Sequence, residues 1–568
     1  MSQINSHGKH AGLLVPVFAL RHGDDFGIGD TQAVRDAIDF CATTKFSVLQ
    51  ILPIHETVGD HSPYNAISSR ALSPAYIYLS PAEVPGLSQE MIEDHASTEW
   101  RAQLRKGSVK HGVVHKLKIE ILRSAYQAFC ESPEDFPLCS EFARFQEEQK
   151  HWLKAYTLFR VLTHHYDENP NWLEWRPEHR TIASAENWLS NQPEKKKLND
   201  WRETFAFIQW VAWRQWRGLR EYASESRIQL MGEMSFGLSL SSADTWAEPE
   251  LFDFEWHVGT RPISYFDTNK DSERWGQNWG LPAYHWENHR KNGFKWLRSR
   301  IQGELQFFHI CRLDHLRGYF RAYVFPWAGG VVHSEFATLT VEEAMERTGG
   351  RLPRFFPGPD DDVDAAKLNE NQGRELIGVI KDAAEAMSLV GEIMGHIPDY
   401  MRSVIDDLQI ANLTFPQLER NHDRSLQSPN SYRPLSLATY ANHDHAPLAA
   451  YYHHLKENAA RDTSGKLTEE LASLLHFLGW NKEPPAELSD ELLATLVRFL
   501  FKTPCYLTVL MSSDLLGIPQ RFNLPGSYGT GTWSERLDHP LSGYLQNEPW
   551  RGRIQRVNEL ILETGRSR

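Results

Sequence analysis

Eight short apolar runs, separated by helix-periodic or long polar stretches, predict an α/β fold for this 568-residue chain. The expected form is a (β/α)8 TIM barrel with large helical insertions between barrel strands. Two further observations agree with it. Charged and aromatic residues crowd the ends of several runs, as on the loop-bearing rim of a barrel. Residues 81–226 turn helical before the strand pattern resumes, as an insertion into one barrel would. The expectation is one barrel domain over 1–568, with a mainly helical insertion at about 81–226 and a smaller irregular one at about 329–373.

Residues 12–20 read as the first strand, and Asp30 is positioned to cap a helix over 31–43. The second strand is 48–53, followed by a loop with Ser62, Pro63 and Tyr64. Within 81–226, Leu117, Ile121, Leu122, Ala125, Ala128 and Phe129 share one helix face, and Phe207, Trp210, Trp213 and Trp216 form a stripe that reads as helix packing. Residues 169–197 are rich in Pro, Trp and charge and read as loop. The third strand is 228–236 and the fourth 309–315; between them, 262–290 carry little periodicity. The acidic run at 357–362 reads as a mobile, solvated loop. A helix over 375–387 leads to the fifth strand at 389–394, with the sixth at 412–418 and the seventh at 435–440. Helices over 446–458, 468–478 and 491–502 precede the eighth strand, 506–511, and a last helix covers about 557–563.

Composition narrows the function. The chain is 41% hydrophobic and 24% charged, ordinary for a globular protein with a large core. A formal net charge of −14 argues against sequence-nonspecific nucleic-acid binding, which depends on neutralising phosphates. Cys41, Cys130, Cys139, Cys311 and Cys505 are scattered without metal-ligand spacing, so a reducing, cytoplasmic setting is expected. The apolar run at 11–20 is too short to span a bilayer and no signal-like cleavage site follows, so no membrane association is expected. The 19 Trp and 19 Tyr supply flat apolar faces, and beside so much acidic charge these suit sugars better than bases, although a large aromatic core accounts for many of them.

The stretch 308–320 is where chemistry gathers: Arg312, Asp314, His315 and Arg317 arrive together as an apolar strand ends. A surface ion-pair cluster is the alternative for this stretch alone. Glu392 and Asp444 end two other strand-like runs, so the barrel would bring three carboxylates to one rim. Retaining glycoside cleavage needs a nucleophilic carboxylate and a carboxylic acid about 5 Å apart. Arg312, two residues before Asp314, is expected to favour its ionised form. The apolar neighbours of Glu392 are expected to favour the protonated form that an acid needs.

From about residue 11 to 537 the chain resembles the 4-α-glucanotransferases (amylomaltases, or disproportionating enzymes), family 77 of the glycoside hydrolases. Arg312-Leu-Asp314-His315 resembles the family's Arg-Ile-Asp-His, which implies Asp314 as nucleophile. Gly391-Glu392-Ile-Met-Gly395 resembles Gly-Glu-Asp-Leu-Gly, which implies Glu392 as acid/base, and His443-Asp444 resembles the His-Asp pair whose Asp holds hydroxyls of the distorted ring. Ser62-Pro63-Tyr64, Ser242-Ala243-Asp244, Gly276-Gln277-Asn278-Trp279-Gly280 and Asn523-Leu524-Pro525-Gly526 match substrate-groove motifs. The resemblance thus implies Tyr64, Asp244, Gln277, Trp279, Arg312, His443, Asn523 and Pro525 as substrate-binding residues, and Tyr265-Phe266 as the start of an aromatic loop. The implied activity is transfer of α-1,4-glucan segments from maltooligosaccharides to glucose or another glucan, without cofactor or metal. Two departures are plain: Ile393 stands where the family has Asp, and His445 where many members carry Asn or Leu.

Two other readings stay open on sequence. His443-Asp-His445 has HxH spacing, so a metal-dependent barrel hydrolase is one, although no further His or Cys cluster completes a ligand shell. An inactive glucan-binding protein is the other; it would keep aromatics but would not need all three carboxylates.

Overall fold

The structure is a computed structural model that describes residues 8–133, 137–262, 275–327, 336, 338–395, 397–525 and 531–567. In chain order its strands are β1 (His10–Leu14), β2 (Val48–Gln50), β3 (Gln229–Met234), β4 (Phe252–Thr260), β5 (Gln277–Tyr284), β6 (Ile310–Leu313), β7 (Ala322–Pro326), β8 (Arg354–Phe356), β9 (Ser388–Gly391), β10 (Ala411–Thr414), β11 (Ser436–Ala438) and β12 (Leu507–Met511). Eight of them close a barrel in the order β1-β12-β11-β10-β9-β6-β3-β2, every pairing parallel. These eight coincide with the eight runs read from sequence. They are buried on both faces, which is why they read as continuous apolar runs rather than alternating ones.

The strands are shorter than the apolar runs. The first run divides at Pro16, which has no N–H for the ladder, so β1 ends at Leu14 and Val17–Ala19 form a 3-10 turn. The helix Thr31–Thr43 falls where expected: Asp30 accepts from the backbone N–H groups of Gln32 and Ala33. The buried Lys118 ammonium donates to the carbonyls of Ala75 and Ile77 and lies 3.7 Å from the same aspartate, tying that helix to the stretch after β2.

Among the described residues six helices run between β2 and β3, His111–Cys130, Pro137–His165 and Lys195–Glu225 among them. The stripe on the last of these is packing: Phe207 and Trp210 meet Phe129 and Phe142 at ring separations of 5.3 to 6.0 Å. Residues 169–197 are not all loop, because Thr181 caps a helix over Ile182–Ser190.

The expectation for 262–290 is corrected as well. Here β5 forms, in an antiparallel four-stranded sheet of order β5-β4-β7-β8 beside the barrel. Its Gly and Pro and the register shifts against β4 erase any alternation in the sequence. Tyr265 and Phe266 lie outside the described residues, as do parts of 329–373. The rest of that stretch is more regular than expected, with a capped helix at Val341–Thr348, β8, and the start of a helix over Val363–Ala383. Nor are the acidic residues at 357–362 merely solvated. Asp360 takes both Arg321 and the Tyr400 hydroxyl, and Asp362 caps the helix that follows. The final helix begins earlier than expected, at Trp550.

Candidate active site

The site assembles at the C-terminal ends of barrel strands, where the register of β3, β6 and β9 decides which side chains meet. Glu233 and Arg312 are register partners across β3 and β6, so both point the same way. Asp314 follows β6 directly, its N–H continuing the ladder to the Met234 carbonyl at 3.0 Å. Glu392 follows β9 likewise, its N–H donating to the Leu313 carbonyl at 2.8 Å. The approach of the two strand ends is close. A Cβ on Gly391 would lie 2.3 Å from the Leu316 side chain, so a larger residue before Glu392 would have to displace Leu316. His315 then turns with φ of 43°, in the left-handed region, and its N–H donates to Glu392 Oε2 at 2.8 Å.

One guanidinium serves this cluster. Arg312, buried, is ion-paired through Nη1 to Glu233 and through Nη2 to Glu392 Oε1 at 3.1 Å, while Asp314 Oδ1 lies 3.8 Å from Nη1. Asp314 Oδ2 accepts from the Phe236 N–H at 3.0 Å. After β11, His443 Nε2 lies 3.0 Å from Asp444 Oδ2, and the Asn523 side-chain amide donates to Asp444 Oδ1 at 2.8 Å. The Tyr64 hydroxyl is 2.9 Å from His443 Nε2, and the two rings stack at 5.2 Å. Trp279 meets His315 edge-on at 5.0 Å, and Gln277 is two residues before it on β5.

Asp314, Glu392 and Arg312 thus form one contact cluster, with Trp279 at its edge, and Asp444, His443, Tyr64 and Asn523 form a second within reach of the Arg312 charge. Asn523 touches Asp444 itself, and Pro525 lies two residues beyond it; Gly526 falls outside the described residues. Asp244 is elsewhere. Its carboxylate accepts from the Ser69 N–H and hydroxyl and from Trp296 Nε1, bracketing the loop after β2 to the helix Lys295–Leu305.

The electrostatics reverse two expectations, an ionised Asp314 and a protonated Glu392. Burial and the negative charge of Glu392 push the Asp314 carboxyl well above the usual carboxylate range. Glu392 is also buried, but Arg312 and the His315 N–H hold it below its ordinary value. Arg312 therefore favours ionised Glu392 more than ionised Asp314 in the free site, because its shorter contact is to Glu392. The two carboxyls lean in opposite directions and form one pair, in which a charge on either disfavours a charge on the other. Against the upward push of burial, His443 and Arg312 keep Asp444 far below the carboxylate range. Burial lowers His445 to about 4; its Nδ1 is 2.6 Å from the Asn442 side-chain oxygen and its ring lies 4.6 Å from Phe415. His443 and His445 are therefore engaged with different partners. Among the described residues no group of three or more His, Cys, Asp or Glu side chains is arranged to hold a metal ion.

Sequence reasoning missed Glu233 and also Trp533, whose ring is 5.7 Å from Tyr64 and 5.8 Å from His443. Glu233 left a signal, a lone carboxylate near the end of an apolar strand. Trp533 left none, since it arrives on a distant loop.

A family model described as 4-alpha-glucanotransferase, glycoside hydrolase family 77, matches residues 15–542. A 4-alpha-glucanotransferase of Chlamydia pneumoniae is 27% identical over 575 residues, spanning 98% of this chain and 96% of its own length. Among solved structures, an amylomaltase from Streptococcus agalactiae in complex with acarbose matches with a TM-score of 0.75 at 21% identity, over 99% of this chain and 100% of that one. The amylomaltase from Corynebacterium glutamicum matches with a TM-score of 0.77 at 19% identity, over 98% of this chain and 75% of that one. At those identities the two structures speak for the fold alone.

Proposed function

The chain belongs to the 4-alpha-glucanotransferase family, and from that premise we propose that it moves segments of α-1,4-glucan onto the 4-hydroxyl of glucose or of another α-1,4-glucan, with retention of configuration. The observation that carries this reading is the meeting of Asp314 and Glu392 on adjoining strand ends around one buried arginine, whose charge also reaches Asp444 on the loop after β11.

In this account Asp314 attacks the anomeric carbon of the donor while Glu392 protonates the departing 4-oxygen, leaving a glycosyl ester on Asp314. Glu392, now ionised, takes the proton from the acceptor's 4-hydroxyl as that oxygen displaces Asp314. The reaction needs Asp314 ionised and Glu392 protonated, so the pair's proton moves to Glu392 when substrate enters. A glycosidic oxygen beside Glu392 accepts a hydrogen bond from the acid form, and positive charge growing at the anomeric carbon favours the Asp314 carboxylate. Asp444 stays ionised and, oriented by His443 and Asn523, accepts from sugar hydroxyls. Tyr64 and Trp279 offer ring faces to flanking sugars. Asp244 supports the Tyr64 loop from behind instead of touching substrate.

Maltooligosaccharides and glucose are the partners this reading implies, with no cofactor. The complex of the Streptococcus agalactiae amylomaltase with acarbose supports a sugar-chain ligand. No described helix is long and apolar enough to cross a membrane, and none of the five cysteines forms a disulfide, which suits a reducing cytoplasm.

Incubation with maltotriose tests the proposal. Glucose and a ladder of longer maltooligosaccharides are expected, with chelator present and no cofactor added. Glucose and maltose without longer chains would make the protein a hydrolase.

A further inference from the structure

Glu233 has no part in the mechanism above, yet it is among the most buried charged groups in the protein. It lies on β3 opposite Arg312, its side chain is wholly inaccessible, and its carboxylate pairs with Arg312 Nη1. A carboxylate buried this way is costly unless its partner is held closely. The same guanidinium reaches Glu392 at 3.1 Å and Asp314 at 3.8 Å. Tyr64 and His443 face Glu233 from the loops after β2 and β11. The charge of Glu233 also reaches Glu304 on the helix before β6 and Cys311 on β6 itself. One cation therefore stands among three carboxylates at contact distance, two of which do the chemistry.

We propose that Glu233 is a positioning residue for the transfer reaction: it fixes the Arg312 guanidinium and cancels part of its charge, and so decides the pH at which the Asp314–Glu392 pair carries the single proton that the reaction needs. This rests on the assignment of Asp314 and Glu392 as nucleophile and acid/base. The argument is electrostatic. With Glu233 ionised, the charge of Arg312 is shared between a spectator and the reacting pair. With Glu233 neutral, its full charge falls on Asp314 and Glu392 and favours the ionised form of both. The pair would then lose its proton at lower pH, and Glu392 would no longer be an acid near neutrality. Glu233 also repels a charge on Asp314 directly, which works in the same direction.

The test is the pH dependence of kcat/KM in Glu233→Gln, which reports groups of the free enzyme. With maltotriose, both limbs of the bell are expected to move to lower pH by about one unit. With α-maltosyl fluoride, whose leaving group needs no proton, only the acidic limb should remain, and it should move equally. Glu233→Asp keeps the charge but withdraws it, so its bell should stay in place while kcat falls several-fold. A Glu233→Gln bell that is lower but unmoved would reduce Glu233 to a packing residue and overturn the inference. So would a bell displaced in Glu233→Asp, which decides the matter if the glutamine variant does not fold. A wild-type enzyme that makes no transfer products from maltotriose would instead overturn the proposed function itself, before any variant is compared.

Discussion

Asp444 has both carboxylate oxygens held by the protein, one by His443 and the other by Asn523. Such a group is already aimed before substrate arrives, and its remaining lone pairs are free for sugar hydroxyls. Hydrogen bonds to those hydroxyls strengthen as the ring flattens and positive charge develops, so their loss acts on the transition state. Asp444→Asn should lower kcat with maltotriose by roughly 10²- to 10³-fold and leave KM within a few-fold. Near-normal kcat with a raised KM would assign Asp444 to ground-state binding. At this scale the sequence carried the identities of the carboxylates, because each ends an apolar run in a recognisable motif. It did not carry their wiring. That Arg312 leans on Glu392 and Glu233 more than on Asp314 depends on the register of three strands far apart in the chain, and that Asp244 is spent on Ser69 and Trp296 depends on a loop packing against a helix.

The helix Thr31–Thr43 depends on Asp30 twice. The carboxylate caps the helix and also lies beside the fully buried Lys118, with His22 as a third partner. Asp30→Ala removes a cap, worth about 1 kcal/mol, and strips a buried ammonium of its counter-charge, a change that costs about 3–5 kcal/mol. A loss in that combined range is expected in chemical denaturation, with Asp30→Asn in between because the amide still caps. A loss below about 1 kcal/mol for the alanine variant would mean that the two carbonyls on Lys118 suffice. Asp30 was legible because a cap is a local signal. The barrel strands were legible for a related reason, since burial on both faces leaves a continuous apolar run. Strand β5 was not, because Gln277–Tyr284 has no pattern of its own and becomes a strand through pairing with β4.

At the scale of the whole molecule, the barrel supplies strand ends that point one way, while the surrounding helices and the antiparallel sheet supply the walls. Tyr64 comes from the loop after β2, Trp279 from β5 and Trp533 from beyond β12, so the groove draws on distant parts of the chain. None of this uses a covalent cross-link, since Cys41, Cys130, Cys139, Cys311 and Cys505 form no disulfide and three of them are buried. Reductant should therefore leave the thermal midpoint and the activity unchanged, and a fall in either on adding dithiothreitol would contradict the absence of a disulfide. The account as a whole turns on Asp314 forming a covalent bond to sugar with Glu392 serving both steps, and trapping that bond tests it most directly. In Glu392→Gln, α-maltosyl fluoride can still load the enzyme, since fluoride leaves without a proton, but no base remains to activate the incoming hydroxyl. The account predicts a maltosyl adduct in the intact mass, mapped by peptide analysis to Asp314 and released by azide as the α-glycosyl azide. An adduct on Asp444, or a β-azide product, would contradict it.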